Sequence, residues 1–264
     1  MKTSLPFLKR RPKVHVLRLQ GAIGAAGRSG LNDCALAPLL EKAFGGKPDA
    51  VALEINSPGG SPVQSSLIGA RIRRLADEKN IPVYAFCEDV AASGGYWIAC
   101  AADEIWCDAS SILGSIGVIS AGFGAHVFLQ RQGIERRVHT AGSSKSMLDP
   151  FRPQSEEDVA RLRRLLDQLH KTFISQVKTR RSACLADDPD LFTGEIWIGH
   201  EAVRIGLADG VGHLNAQMQA RFGNKVRLRR FSAKKPLFSR FGMQAVQSAL
   251  GEIEERAHFA RFGL

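Results

Sequence analysis

A serine in the stretch VAASGGYWIACAADEI is the clearest candidate for chemistry in this sequence. Ser93 follows a run of small residues and stands directly before an apolar segment with helical spacing. Serine favours such positions because its hydroxyl can cap a helix, but the same position can present that hydroxyl as a nucleophile. Gly94 and Gly95 come next and leave room for a substrate beside it. Ser93 is therefore either a helix cap or the attacking group of a covalent catalyst.

A second glycine-rich loop, INSPGGS, contains Gly59 and Gly60 between a predicted buried strand and a predicted helix. Glycines at such a point let backbone N–H groups approach a ligand closely. Because both loops follow strands of one predicted parallel sheet, they should meet at the edge where α/β folds bind ligands. One loop would then supply a nucleophile and the other an oxyanion hole. On its own, Ser-Pro-Gly-Gly is also ordinary turn chemistry.

A serine nucleophile needs a base, and histidine is the usual one. His139, at a predicted strand end, is a candidate, but Lys145 in the loop TAGSSKSMLDPF is the better one. A lysine accepts a proton only when its amine is neutral, which requires burial or neighbouring hydroxyls rather than carboxylates. Hydroxyls are available from Ser115 in LGSIGV and from the three flanking serines, Ser143, Ser144 and Ser146. A solvated surface charge is the alternative for Lys145.

Strand and helix patterns alternate along most of the chain, as in βαβ units around a parallel sheet. Strands are predicted at residues 15–19, 50–55, 81–87, 104–107 and 136–140. Helices are predicted at residues 33–43, from Pro62, at 94–102 and at 122–132. A long helix capped by Ser155 should bury the stripe Val159, Leu162, Leu166, Leu169, Phe173 and Val177. The predicted fold class is α/β with a mostly parallel sheet.

Composition restricts the class of protein further. The chain has 264 residues, 44% of them hydrophobic, and a net charge of +10. The five cysteines are an odd number without metal-ligand spacing, so we expect neither a disulfide framework nor a metal site. The apolar patch near the N-terminus is too short for a secretory signal or a spanning helix. We therefore expect a cytoplasmic protein, with peripheral contact to the inner membrane as the alternative.

We divide the chain into a main domain, residues 1–221, and a basic C-terminal extension, residues 222–264. Basic residues between positions 225 and 241 are interleaved with phenylalanines, namely Phe231, Phe238 and Phe241. A solvated strand and linker, followed by a helix at 244–262, is the first interpretation. Contact with a membrane surface is the second. No nucleic-acid partner is expected, because no binding motif accompanies the charge.

Taken together, these motifs resemble the bacterial signal peptide peptidase A family of serine–lysine proteases. The similarity includes INSPGGS, VAASGGYWIA, GSIGV and GSSKSMLDPF and extends from about residue 15 to residue 214. Lys145 follows Ser93 by 52 residues and Ser115 follows it by 22, spacings similar to those of the shorter, single-repeat members.

The resemblance implies that Ser93 is the nucleophile, that Lys145 is the general base and that Ser115 orients the lysine amine. The backbone N–H groups implied for the oxyanion hole belong to Gly59, Gly60 and Gly94. It also implies a Clp/crotonase-like fold of repeated β-β-α units, a homo-oligomeric ring, no cofactor, and a peptidase domain at 1–221. The implied substrates are extended hydrophobic or unfolded peptides such as signal-peptide remnants.

Two features depart from the family pattern. Envelope members usually carry an N-terminal membrane anchor, which this sequence does not show, and the extension lies outside the matched region. Two other functions stay open from the sequence. A crotonase-like enzyme acting on an acyl thioester would want acidic residues in the cleft. A proteolytically silent scaffold would bind peptides or membrane proteins without turnover.

Overall fold

The centre of the molecule is a pair of parallel strands, β2 (Ala50–Ser57) and β3 (Val83–Ala92). The computed structural model describes residues 10–24, 30–142, 144–232 and 259–264. Every residue of β2 is buried, because both faces of a central parallel strand are covered. On its other side β2 pairs in parallel with β1 (Lys13–Gln20).

Five shorter strands complete the sheet: β4 (Glu104–Cys107), β5 (Ile112–Gly114), β6 (Ile196–Ile198), β7 (Gly210–Val211) and β8 (Arg227–Phe231). The strand order is β6-β5-β3-β2-β1-β8, and β4 lies between β3 and β7. Every pair is parallel except β5 with β6. The prediction of an α/β fold with a mostly parallel sheet is confirmed.

β3 is long enough to pair with two strands in succession. Its residues 84–87 pair with β4, and its residues 90–92 pair with β5. β5 therefore continues the sheet past the end of β4. The turns that follow β3 and β5 consequently lie side by side at one edge of the sheet.

The described part of the chain contains seven helices, which cover both faces of the sheet. They are α1 (Asp33–Ala43), α2 (Pro62–Lys79), α3 (Gly94–Ala99), α4 (His126–Arg131), α5 (Glu156–Arg181), α6 (Gly199–Arg204) and α7 (Leu214–Phe222). Alternate strand residues point to opposite faces. Thus Leu17 and Leu53 pack in the core that includes α1, α2 and α3, while Val16 and Ala52 pack under α7.

α5 begins as predicted, since the Ser155 hydroxyl accepts a hydrogen bond from the Asp158 N–H at 3.1 Å. Its predicted apolar stripe is only partly buried. Phe173 and Val177 are buried, but Leu169 is 41% exposed and no described residue between positions 117 and 172 is buried. The prediction is wrong for the first half of the helix, because nothing in the described chain covers it.

Residues 118–155, which we call the arm, differ most from the prediction. The strand predicted at 136–140 is irregular and exposed, and the helix predicted at 122–132 shortens to α4. A strand needs a neighbouring strand for its backbone hydrogen bonds, and no strand of the described residues pairs with the arm. The helix predicted at 244–262 lies outside the described residues except for 259–262, of which 259–260 are helical.

The sheet continues across the boundary that we predict at residues 221/222. β8 pairs in parallel with β1, from Lys13 opposite Arg227 to Leu17 opposite Phe231. The Phe231 ring lies 4.8 Å from the His15 ring, centroid to centroid. The division into two domains stays a prediction.

Three of the five cysteines pack as small apolar side chains, whereas Cys34 and Cys184 are exposed. All five are free thiols, and Cys87, Cys100 and Cys107 are buried. Burial raises the pKa of Cys100 to about 12 and that of Cys107 to about 11. These two thiols are therefore protonated at neutral pH and poorly nucleophilic.

Candidate active site

Ser93 is the single residue between the end of β3 and the start of α3. Its backbone has φ 52° and ψ −120°, which residues other than glycine rarely adopt. The Ser93 N–H donates to the Gly114 carbonyl at 2.8 Å, and the Ser93 carbonyl accepts from the Trp97 N–H at 3.0 Å. A strained strand–turn–helix connection of this kind can expose a serine hydroxyl above the sheet.

The Ser93 side chain does not cap α3, although it immediately precedes that helix. Ser61 and Ser155, in contrast, do cap α2 and α5 through their hydroxyls. Helix capping therefore does not explain Ser93. Its hydroxyl remains available to a ligand in the adjoining cavity.

Two backbone N–H groups are available next to this hydroxyl. Gly60 and Gly94 line the cavity, and neither N–H donates to an acceptor among the described residues. A Cβ on Gly94 would lie 3.4 Å from the Gly60 nitrogen, so the two groups are close together. Gly59 differs, because its N–H donates to the Ser57 hydroxyl at 3.3 Å. A Cβ on Gly59 would lie 2.7 Å from the Cβ of Ser93, which shows that this glycine packs directly against the serine.

β5 brings Ser115 to the same place. Ala92 lies opposite Gly114 in the register of β3 and β5, so Ser93 and Ser115 follow paired residues. The Ser115 N–H donates to the Glu195 carbonyl at 2.7 Å. Both serines line one cavity, as their predicted roles require.

That cavity has a volume of about 630 Å³. Its apolar walls come from Ile23, Trp97, Val118, Ile119, Leu169 and Phe173. Among the residues that the structure describes, no aspartate or glutamate lines it, and Arg261 is the one charged residue that does. A cleft of this size and composition suits an apolar ligand.

A second cavity, of about 300 Å³, has a different character. It is acidic, with Glu54, Glu88, Asp89 and Asp108 among its lining residues. Glu54 pairs with Arg230, and Glu88 pairs with Arg18 at 2.8 Å. These carboxylates neutralise neighbouring cations, and the cavity contains none of the predicted catalytic residues.

Lys145 does not line the cavity that holds Ser93. It is exposed on a turn of the arm, where its backbone N–H donates to the Gly142 carbonyl at 3.2 Å. Asp149, the nearest acid in sequence, pairs with Arg136 at 3.2 Å instead. A hydrogen bond from the Phe151 N–H and the Arg136 guanidinium lower the pKa of Asp149.

A single chain thus brings Ser93, Ser115 and the two glycine N–H groups together, but not the lysine. His139, the other candidate base, is also an exposed arm residue outside the cavity. Ser144 and Ser146 lie on the arm with Lys145, and Ser143 lies outside the described residues.

The structure adds residues that sequence reasoning missed. Ile23 and Gly24, after β1, contribute a third loop to the cavity, and Thr193 and Gly194 contribute a fourth. Glycines in QGAIGAAG and TGEIWIG were the available signal. Arg261 had no signal, because its place depends on how residues 259–264 pack.

Residues 76–226 match the sequence model described as peptidase family S49, and this range includes Ser93, Ser115 and Lys145. A Haemophilus influenzae protein named "Probable protease SohB" is 30% identical over 246 residues, covering 93% of this chain and 68% of that protein. This chain belongs to peptidase family S49. The resemblance stated from the motifs is confirmed.

A more similar relative has a different name. The Brucella abortus protein named "Na(+)/H(+) antiporter NhaA" is 47% identical over 272 residues. The match covers 96% of this chain but only 37% of that protein, so the S49 chain spans little more than a third of its length. No helix in the described ranges has the length and apolar character that crossing a membrane requires.

A solved structure supports the fold of this S49 chain. A lysine-to-alanine mutant of the 1510-N membrane-bound stomatin-specific protease, in complex with a substrate peptide, matches with a TM-score of 0.56. The match covers 92% of this chain and 99% of that one at 16% identity. The predicted Clp/crotonase-like architecture is confirmed.

Proposed function

We propose that this S49 family member is a serine endopeptidase with Ser93 as its nucleophile. The observation that carries the proposal is the environment of Ser93. Its hydroxyl leaves a strained turn without capping the helix and adjoins a cavity that Gly60 and Gly94 also line. A nucleophile beside preorganised N–H donors is the arrangement that acyl transfer requires.

In the proposed reaction, the Ser93 Oγ attacks the scissile carbonyl carbon while Lys145 takes the hydroxyl proton. The oxyanion that forms accepts hydrogen bonds from the N–H groups of Gly60 and Gly94. Lys145 then gives the proton to the leaving amine, and a water molecule hydrolyses the acyl-enzyme with the same base. Ser115, beside Ser93, orients the lysine amine. Gly59 supports the turn rather than donating to the oxyanion.

Lys145 comes, in this proposal, from a second copy of the chain. Its exposed position outside its own cavity supports this arrangement. The arm that carries it exposes large apolar side chains, including Phe123 at 75% and Phe128 at 61%. Apolar surface of this kind favours contact with another protein surface. If each arm contacts the body of the next protomer, the contacts are heterologous, and they form a ring when the rotation between successive protomers closes.

The proposed substrates are extended peptides with apolar side chains, such as signal-peptide remnants. The apolar cavity walls support this class, because a polar peptide would lose hydration there without regaining hydrogen bonds. A protein with a similar fold, the 1510-N membrane-bound stomatin-specific protease, has been solved in complex with a substrate peptide.

The two other functions are less well supported. An acyl-thioester enzyme would want acidic residues in the cleft, and no carboxylate from the described residues lines this one. A silent scaffold would have no use for an uncapped, strained serine. The antiporter name belongs to proteins in which this chain matches 37% of the length, and we do not extend it to this one.

A cytoplasmic location and contact of residues 225–241 with a membrane surface stay predictions. In the described part of that stretch, Arg230 pairs with Glu54 and Phe231 packs on His15. Those two side chains contact residues of other strands of the sheet. A membrane contact would therefore depend on the remaining basic and aromatic residues of the stretch.

Labelling with a fluorophosphonate probe tests the proposed function. The probe should form an adduct at Ser93 that mass spectrometry locates, and Ser93→Ala should remain unlabelled. Ser110→Ala, which removes an exposed serine lining the acidic cavity, is the matched control and should label like the wild type. An unlabelled wild-type protein would reject the peptidase mechanism.

A further inference from the structure

Residues 259–264 pack next to the strand that ends at Ser93. Phe259 and Phe262 contact a small apolar cluster formed by Val90, Ala92 and Ile112. Ala92 directly precedes Ser93, so these two aromatic side chains pack against the end of the strand that leads to the proposed nucleophile. The segment is closed by a hydrogen bond from the Phe262 N–H to the Phe259 carbonyl at 2.8 Å.

This packing puts Arg261, between the two aromatics, at the cavity that contains Ser93 and Ser115. Its guanidinium carbon lies 5.9 Å from the centre of the Phe262 ring. The other described lining residues are apolar or uncharged, and no ion pair joins Arg261 to a described carboxylate. Among the described residues, the cavity walls are therefore apolar or uncharged except for one positive charge, that of Arg261.

We infer that Arg261 is a specificity-determining residue that binds a carboxylate of the peptide substrate. The inference rests on the proposed peptidase function. A guanidinium presents a planar fork of N–H donors that matches a carboxylate in a bidentate pair.

The carboxylate has two sources in a peptide: the free C-terminus or an aspartate or glutamate side chain. Both place the same group before Arg261. An apolar peptide with one carboxylate combines the two features of the cavity. Because Arg261 is exposed and solvent screens its charge, we expect a modest preference of roughly 3- to 10-fold in kcat/KM, from about 1 kcal/mol.

The test compares quenched fluorescent peptides built from alternating leucine and alanine. One has a free C-terminus, one a C-terminal amide, and two amidated versions carry an internal glutamate or glutamine. The wild type should favour the carboxylate-bearing peptides over their neutral partners. Arg261→Gln should bring the kcat/KM ratio between each carboxylate-bearing peptide and its neutral partner close to one, while Arg261→Lys keeps part of the preference. The peptide pair that shows the larger ratio identifies the source of the carboxylate.

Arg229→Gln is the matched control, because it removes the same charge from an exposed residue of β8, at the opposite end of the sheet from β5. It should keep the wild-type preference. Equal ratios in the wild type and in Arg261→Gln would overturn the inference.

Binding separates this inference from the proposed function. The same peptides are titrated by fluorescence anisotropy into Ser93→Ala and into Ser93→Ala combined with Arg261→Gln. A carboxylate preference in binding that disappears in the Arg261→Gln variant supports the inference, even when the wild type cleaves no peptide. The absence of cleavage would reject only the proposed peptidase function. Turnover without any carboxylate preference would overturn the inference about Arg261 and leave the proposed peptidase function supported.

Discussion

If Lys145 acts on the Ser93 of a neighbouring protomer, two inactive variants should regain activity when they are mixed. Ser93→Ala removes the nucleophile, and Lys145→Ala removes the base. Each variant alone has no complete site. In a mixed ring, a Lys145→Ala protomer contributes an intact Ser93, and its Ser93→Ala neighbour contributes an intact Lys145.

The size of the recovery follows from the arrangement. In a random equimolar mixture, each of the two required groups is intact with a probability of one half, so about one quarter of the sites are complete. The specific activity should rise from background to about a quarter of the wild-type value. A lysine that served its own chain would leave every site incomplete, and mixing would change nothing. The exposed position of Lys145, outside its own cavity, favours the first outcome.

The assay uses two affinity tags, so that only mixed oligomers are purified after coexpression. Cleavage of a quenched fluorescent apolar peptide reports the activity, and native mass spectrometry reports the composition of each ring. Ser93→Ala mixed with the double variant, Ser93→Ala with Lys145→Ala, is the negative control. Confirmed mixed oligomers without activity would refute supply of the lysine from a neighbour. Near-normal turnover by Lys145→Ala alone would refute its role as the base.

Two further predictions concern the support of the site. Gly60→Ala would place a Cβ against the Ile23 carbonyl at a φ of +144°, so it should lower the free energy of unfolding by about 1–3 kcal/mol in urea melts and reduce fluorophosphonate labelling. Gly122→Ala, where nothing lies within 4 Å, should change neither. The side-chain hydrogen bond from Arg71 lowers the pKa of Asp33 from its usual 3.8, so this pair stabilises the fold above that value and loses its effect as the pH falls through the lower, folded value. Asp33→Asn should therefore cost about 1 kcal/mol at neutral pH and much less in strong acid, and an equal cost at both would contradict the assignment.

The sheet and its first helices could be predicted because their signals are local. The near-continuous apolar run of β2 and the Ser61-Pro62 start of α2 need no tertiary information. The arm could not be predicted in the same way. Its apolar residues resemble a buried helix and strand, but their burial depends on a surface that the described chain does not provide. Periodicity shows which residues require cover, but it does not show whether the same chain supplies it.

In the proposed site, too, some features could be predicted from the sequence and others depend on tertiary contacts. The positions of Ser93 and Ser115 follow from two strand ends that the register of β3 and β5 places together. The different hydrogen bonding of the Gly59 and Gly60 N–H groups could not be predicted from the sequence, because it depends on which N–H donates to the Ser57 hydroxyl. The position of Arg261 depends on the packing of Phe259 and Phe262 against Val90, Ala92 and Ile112, which are distant in sequence, and no local pattern predicts such contacts.

The separate positions of Ser93 and Lys145 would affect how activity is controlled. Ser93 directly precedes the buried helix α3, whereas Lys145 is exposed on the arm. Val118 and Ile119 begin the arm and also line the cavity. Docking of the arm on a neighbour would therefore fix the cavity wall of one protomer and deliver the base to the next. If Lys145 is supplied by a neighbour as proposed, a lone chain would have the nucleophile without a base and would not cleave other proteins.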